Sequence, residues 1–272
     1  MPKTSTIQLD GVFQSAGAAR AGRLIMYLTA GDPSLEATGE LLSAIDRGGA
    51  DVIELGVPFS DPMADGVVIQ HASERALKGG TTLRKILHHL PAWRESVRVP
   101  IILFSYYNPI LQYGVDRFAS DLVQAGGQGA LVVDLPPEEA GAYVSAMRKH
   151  KLDTIFLASP TSTDQRLELI AGLSSGFLYL ISRPGVTGEQ TSLSAAVPPL
   201  VQRVREFTHL PLAVGFGVST PAQVGQILSI ADAAVVGSAL VRAIEEHYTQ
   251  EGSQAIERFV SWLKSGIGSR PE

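Results

Sequence analysis

Glu54 stands inside an apolar run, Val52-Ile53-Glu54-Leu55, and Asp65 follows eleven positions later, past a loop punctuated by Gly56, Pro58 and Pro62. The β-branched and aliphatic residues around Glu54 predict a strand buried on both faces, where a carboxylate is poorly solvated and its pKa rises. An acid held partly protonated near neutral pH can both give and take a proton. Asp65, out on the loop, is expected to stay ionised, and two carboxylates in unlike surroundings can divide acid and base roles. The structural alternative makes Glu54 the partner of an arginine and Asp65 the cap of a helix over 67–78.

Positioning such a pair takes a scaffold of strands with functional loops at one end. Short apolar runs at 24–28, 52–55, 101–104, 130–133, 154–157, 177–181, 212–214 and 233–236 predict eight strands, each followed by an amphipathic segment. Helix starts are expected at Asp32-Pro33, Thr82, Asp116, Pro137, a capping box over 162–165 and another over Thr220 to Gln223, with Gly48-Gly49 as a stop. A weak Ala-rich helix over 10–21, with Val12 and Phe13 as packing residues, precedes the first strand. Eight strand–helix units in this length predict an α/β fold, a single (β/α)8 barrel spanning 1–272 with its core at about 24–246 and helical extensions at both ends. Thr29-Ala30-Gly31-Asp32-Pro33 lacks the glycine spacing that an open dinucleotide-binding sheet requires.

In such barrels the chemistry sits in the loops after the strands. The longest spacings follow the second and sixth predicted strands. The first of these loops carries Asp65. The second runs from Ser182 through Arg183, Pro184, Gly185, Val186, Thr187 and Gly188 to Ser194, and is either a lid or a plain connector. Tyr179, in the preceding strand, either offers a hydroxyl to the interior or packs. After the last two strands come Gly215-Phe216-Gly217 and Gly237-Ser238, where backbone N–H groups can approach an anion with no side chain in the way. These turns predict a phosphate site, with Phe216 as the floor for a flat ring or as core.

Composition narrows the chemistry. A net charge of −5 with no basic run favours neither nucleic acid nor an anionic membrane as partner, so a phosphate must be held by backbone. The chain has no cysteine, no signal-like start and no bilayer-length apolar run, which predicts a cytoplasmic protein. No lysine falls at a strand's carboxyl end for imine chemistry, and the six histidines fall on predicted helices or strand entrances, so no metal site is expected. What remains is carboxylate acid/base chemistry on a phosphorylated substrate with an aromatic part.

The motifs LTAGDP, DVIELGVPFSDPMADG, IQHASERAL, YYNPILQYG, VVDLPPEE, LYLISRPGVTG, VGFGVS and VVGSALV, in this order, resemble the alpha subunits of tryptophan synthase from about residue 24 to 241. The resemblance implies a retro-aldol cleavage of indole-3-glycerol phosphate to indole and glyceraldehyde 3-phosphate without a cofactor. It assigns Glu54 as the proton shuttle and Asp65 as the anion that meets positive charge on the indole nitrogen. It further implies substrate contacts at Tyr27, Tyr179, Thr187, Gly188, Phe216, Gly217, Gly237 and Ser238. Arg183, Gly185 and Thr187 would belong to a lid in which Thr187 bonds Asp65. A pyridoxal-phosphate beta subunit would take the indole in an alpha2beta2 assembly, docking around Asp61, Asn108 and Pro109. Met26, Tyr27, Val67 and Pro184 depart from the commoner family pattern. The rival readings are another cofactor-free phosphate-binding barrel, of the isomerase or epimerase class, and a non-catalytic activating barrel.

Overall fold

A computed structural model describes residues 9–14, 22–181, 194–215 and 217–268. Its nine parallel strand segments are β1 (Arg23–Thr29), β2 (Val52–Gly56), β3 (Ile101–Ser105), β4 (Gly129–Val132), β5 (Asp153–Ile155), β6 (Leu157–Ala158), β7 (Leu178–Ile181), β8 (Leu212–Gly215) and β9 (Ala233–Val236). The sheet order is β5-β4-β3-β2-β1-β9-β8-β7-β6, and its two ends are consecutive pieces of one stretch interrupted at Phe156. That stretch pairs with β4 on one side and β7 on the other, so the sheet curls round and meets itself. The architecture is the (β/α)8 barrel, and the predicted fifth strand is simply kinked into two.

Strand alternation sorts the side chains into two cores. Ile53 and Leu55 face outward into the layer between sheet and helices, with Leu41, Leu42 and Ile45 of α2 (Leu35–Arg47). Val52, on the opposite face of β2, packs inside the barrel with Ile25, Ile102, Leu131, Ile155, Phe177 and Ala213. Glu54, two residues beyond Val52, therefore shares the inward face. At the amino-terminal mouth, α1 (Leu9–Gln14) buries Leu9 and Val12 in the same inner cluster, and Phe13 lies 6.1 Å from Phe177. Residues 10–14 of the predicted helix are helical, with Leu9 added at its start, and residues 15–21 of the predicted span lie outside the described residues.

Several helix starts differ from expectation: the helix expected from Asp116 runs Val115–Gln124 with Gly114 as its cap, and Pro137 opens only a 3-10 turn, Pro137–Glu139, before a helix at Gly141–Lys149. Asp32 does not cap α2; Ser34 does, accepting from the Ala37 N–H, while Asp32 takes two bonds from Arg75, at 2.8 and 2.9 Å. Arg75 sits on α3 (Val67–Lys78) and also reaches Glu245, so Asp32 serves to tie the first loop to two helices. No capping box forms over 162–165, because Thr163 is the cap of the helix Asp164–Leu173. After Gly237 the chain forms an α turn, Ser238–Ala243, and then a π turn, Ile244–Tyr248. Other signals coincide with the structure: Thr82 caps α4 (Leu83–Arg94), Gly48 ends α2, and the Thr220–Gln223 capping box is complete.

The carboxyl-terminal helix Ser253–Lys264, to which the sequence assigns no role, packs on α2. Lys264 forms an ion pair with Asp51, whose carboxylate also accepts from the Leu24 N–H at 2.7 Å. Among the described residues no helix is long and apolar enough to cross a membrane.

Candidate active site

The inward positions of β1, β2, β7 and β8 converge at the carboxyl-terminal mouth. Tyr27 and Glu54 are register partners across β1 and β2, and Glu54 is 1% exposed. Its Oε1 is buried without a hydrogen-bond partner, and no arginine pairs with it among the described residues. Burial alone raises the Glu54 carboxyl to about 8. A buried acid with one idle oxygen stays protonated at pH 7 and can still exchange its proton.

Asp65 departs from expectation in its surroundings. Its loop folds inward, so the side chain is only 4% exposed, and burial lifts its pKa to about 6. A hydrogen bond from the Tyr106 hydroxyl at 3.0 Å works against that rise. Asp65 is also not the helix cap: Gly66 occupies that position in α3, with no side-chain cap bond. Gln70, one turn into α3, holds the turn by donating to the Asp65 carbonyl at 2.8 Å. Burial thus lifts Glu54 to about 8 and Asp65 only to about 6, so neutral pH favours the protonated form of the first and the ionised form of the second.

The two tyrosines need glycines beneath them. A Cβ on Gly56 would lie 2.3 Å from the Tyr27 hydroxyl, and one on Gly215 would lie 1.8 Å from that of Tyr179. Tyr27 further sets its hydroxyl 3.3 Å from Thr29 Oγ1 and its ring edge-on to Phe104 at 5.1 Å. Gly215→Ala should push Tyr179 out of the mouth and lower stability by about 1–3 kcal/mol, the usual range for overpacking. Chemical denaturation checks this, and an unchanged midpoint would contradict it.

Of the remaining expected residues, Gly217, Gly237 and Ser238 lie in the turns after β8 and β9. Gly217 follows β8 with φ +61, a conformation that favours glycine, and Gly237 leads from β9 into Ser238 at the start of a helical turn. A Cβ on Gly237 would be 3.7 Å from Tyr27 Cβ, so this turn borders the cleft. Asp61 is exposed on the loop between β2 and α3, and Asn108 is exposed in the first turn of α5 (Tyr107–Tyr113), beside Pro109. Arg183, Pro184, Gly185, Thr187, Gly188 and Phe216 lie outside the described residues. Tyr106, Phe59 and Gln70 also belong to the site, although they stand outside the residues that the motifs single out. Only the doubled tyrosine at the end of β3 marked the first, because its bond to Asp65 spans 41 residues and depends on two loops meeting.

The tryptophan synthase alpha chain family model matches residues 13–265. The chain belongs to that family. The tryptophan synthase alpha chain of Solibacter usitatus is 56% identical over 248 residues, covering 91% of this chain and 93% of its own length. That of Geotalea daltonii is 49% identical over 262 residues, 96% of this chain and 99% of the relative. In structure, a chain of Mycobacterium tuberculosis tryptophan synthase superposes with TM-score 0.89 at 40% identity, covering 97% of this chain and 99% of that one. The tryptophan synthase alpha subunit of Legionella pneumophila gives 0.86 at 38% identity, with 97% and 99% covered. The chain is thus a lyase-family barrel of tryptophan biosynthesis, whose alpha chains cleave indole-3-glycerol phosphate.

Proposed function

We propose that this chain breaks indole-3-glycerol phosphate into indole and glyceraldehyde 3-phosphate, with Glu54 as proton shuttle and Asp65 as counter-charge. Protonated Glu54 delivers its proton to the ring carbon that bears the side chain. The indole becomes an iminium-like cation, and the Asp65 carboxylate stabilises the charge at the ring nitrogen. Ionised Glu54 then takes the proton from the side-chain hydroxyl next to that carbon. The O–H electron pair becomes the new carbonyl, the carbon–carbon bond breaks, and its electrons restore the aromatic ring. Glu54 ends the cycle protonated, so no net proton is taken up or released.

The observation that carries this reading is a pair of buried carboxyls at one mouth, Glu54 with an unpartnered oxygen and Asp65 bonded by the Tyr106 hydroxyl, with burial raising the first further than the second. The phosphate is assigned to the backbone around Gly188, Gly217, Gly237 and Ser238, and the aromatic walls to Tyr27, Tyr179 and Phe216. Arg183, Gly185 and Thr187 are assigned to a closing lid. A pyridoxal-phosphate beta subunit is the proposed recipient of indole, in an alpha2beta2 assembly. It would dock on Asp61, Asn108 and Pro109, beside the exposed Met63 (85%) and Val67 (62%). An exposed apolar pair of this kind suits a partner surface.

Indole release from indole-3-glycerol phosphate, assayed with and without a beta subunit, tests the reaction; no indole under either condition would overturn it. The active state needs Asp65 ionised and Glu54 protonated, so kcat/KM of the free chain should be bell-shaped, rising near pH 6 and falling near pH 8. A profile flat across that range would contradict the assignment.

A further inference from the structure

Tyr106 stands outside the proposed acid/base pair, yet its hydroxyl is the one side-chain donor seen on the Asp65 carboxylate among the described residues. The side chain is 4% exposed and its ring stacks on Phe59, with centroids 4.9 Å apart and planes at 28°. The Ala64 N–H donates to the same hydroxyl oxygen at 3.0 Å. An amide can only donate, so the single hydroxyl proton is directed to Asp65 Oδ2. The backbone on either side is also fixed. Ser105 Oγ donates to the Tyr106 carbonyl at 2.9 Å, and the Tyr107 N–H donates to Asp134 at 2.7 Å.

We propose that Tyr106 is a positioning residue for Asp65, pinning Oδ2 so that the carboxylate presents its other oxygen to the indole nitrogen and stays ionised at neutral pH. A hydrogen bond to an ionised carboxylate is roughly twice as strong as one to a neutral acceptor, so the contact favours the charged form. Among the described residues, the titratable groups that face Asp65 are Tyr106 from the β3–α5 connection, Tyr27 from β1 and Tyr179 from β7, with Glu54 of β2 beside the last two. None of these is a cation. The tyrosine hydroxyl is therefore what offsets the burial of the charge.

The inference rests on the role proposed for Asp65, so Tyr106→Phe is measured beside Asp65→Asn and the double variant. Loss of the bond should move the acidic limb of the kcat profile up by about one pH unit. Turnover at pH 6 should then fall about fivefold with KM little changed, and recover toward the native rate near pH 7.5. That recovery separates the effect from damage to the fold, which no rise in pH would repair. In the Asp65→Asn background the same substitution should have little further effect on turnover. An acidic limb that stays in place in Tyr106→Phe, with Asp65→Asn inactive, overturns the positioning role alone. Full activity in Asp65→Asn would instead overturn the parent reading.

Discussion

Glu54→Gln should reduce indole release by at least about a thousandfold while the barrel stays folded. The amide matches the acid in size and sits on the inward face between Val52 and Gly56, so packing is preserved. It can neither give a proton to the ring carbon nor take one from the side-chain hydroxyl, and both halves of the reaction fail together. Single-turnover assays with saturating substrate check the result; a loss below about tenfold would show that another group moves the protons. The same variant carries a stability signature. Folding raises the Glu54 pKa from 4.5 to about 8, so the folded state binds more protons than the unfolded state across that interval. Stability then declines as pH rises through the window. Asp65 contributes a decline of the same sign, but only up to about pH 6. Between pH 6 and 8 the slope belongs to Glu54, and denaturant melts of Glu54→Gln should lack it.

Asp65→Asn is expected to lower kcat by about 10²–10³-fold, the range for removing one preorganised electrostatic contact with a transition state. KM should stay within about threefold, because the charge opposite Asp65 develops only after the ring is protonated. The substitution leaves an oxygen for the Tyr106 hydroxyl, so the loop is retained and the loss is one of charge. A rise in KM with kcat intact would instead make Asp65 a binding residue.

Much of the scaffold was legible in the sequence because strand and helix periods differ and the punctuation is strong. Val52 to Gly56 read as a strand from its β-branched residues, and Thr220 to Gln223 as a cap from hydroxyl and amide spacing. Asp32 misled because its carboxylate, although next to Pro33, is claimed by Arg75 from α3, a tertiary contact that no local pattern encodes. Phe156 breaks the fifth strand where it passes from one neighbour to the other, again a property of closure. At the site, the burial of Glu54 followed from its neighbours in sequence. The burial of Asp65 did not, since it depends on Tyr106 and Gln70 drawing the loop inward. The pairing of Tyr27 with Gly56, and of Tyr179 with Gly215, shows only once the strands are in register.

The proposed chemistry requires one carboxyl group, Glu54, to be neutral at physiological pH inside the barrel. Infrared difference spectroscopy of native protein against Glu54→Gln, titrated from pH 6 to 9, observes that group directly. A protonated-carboxyl carbonyl band at pH 7 that is absent from the variant, and that fades in the native protein with a midpoint near 8, is the predicted result. An ionised carboxylate at Glu54 already at pH 6 would contradict it.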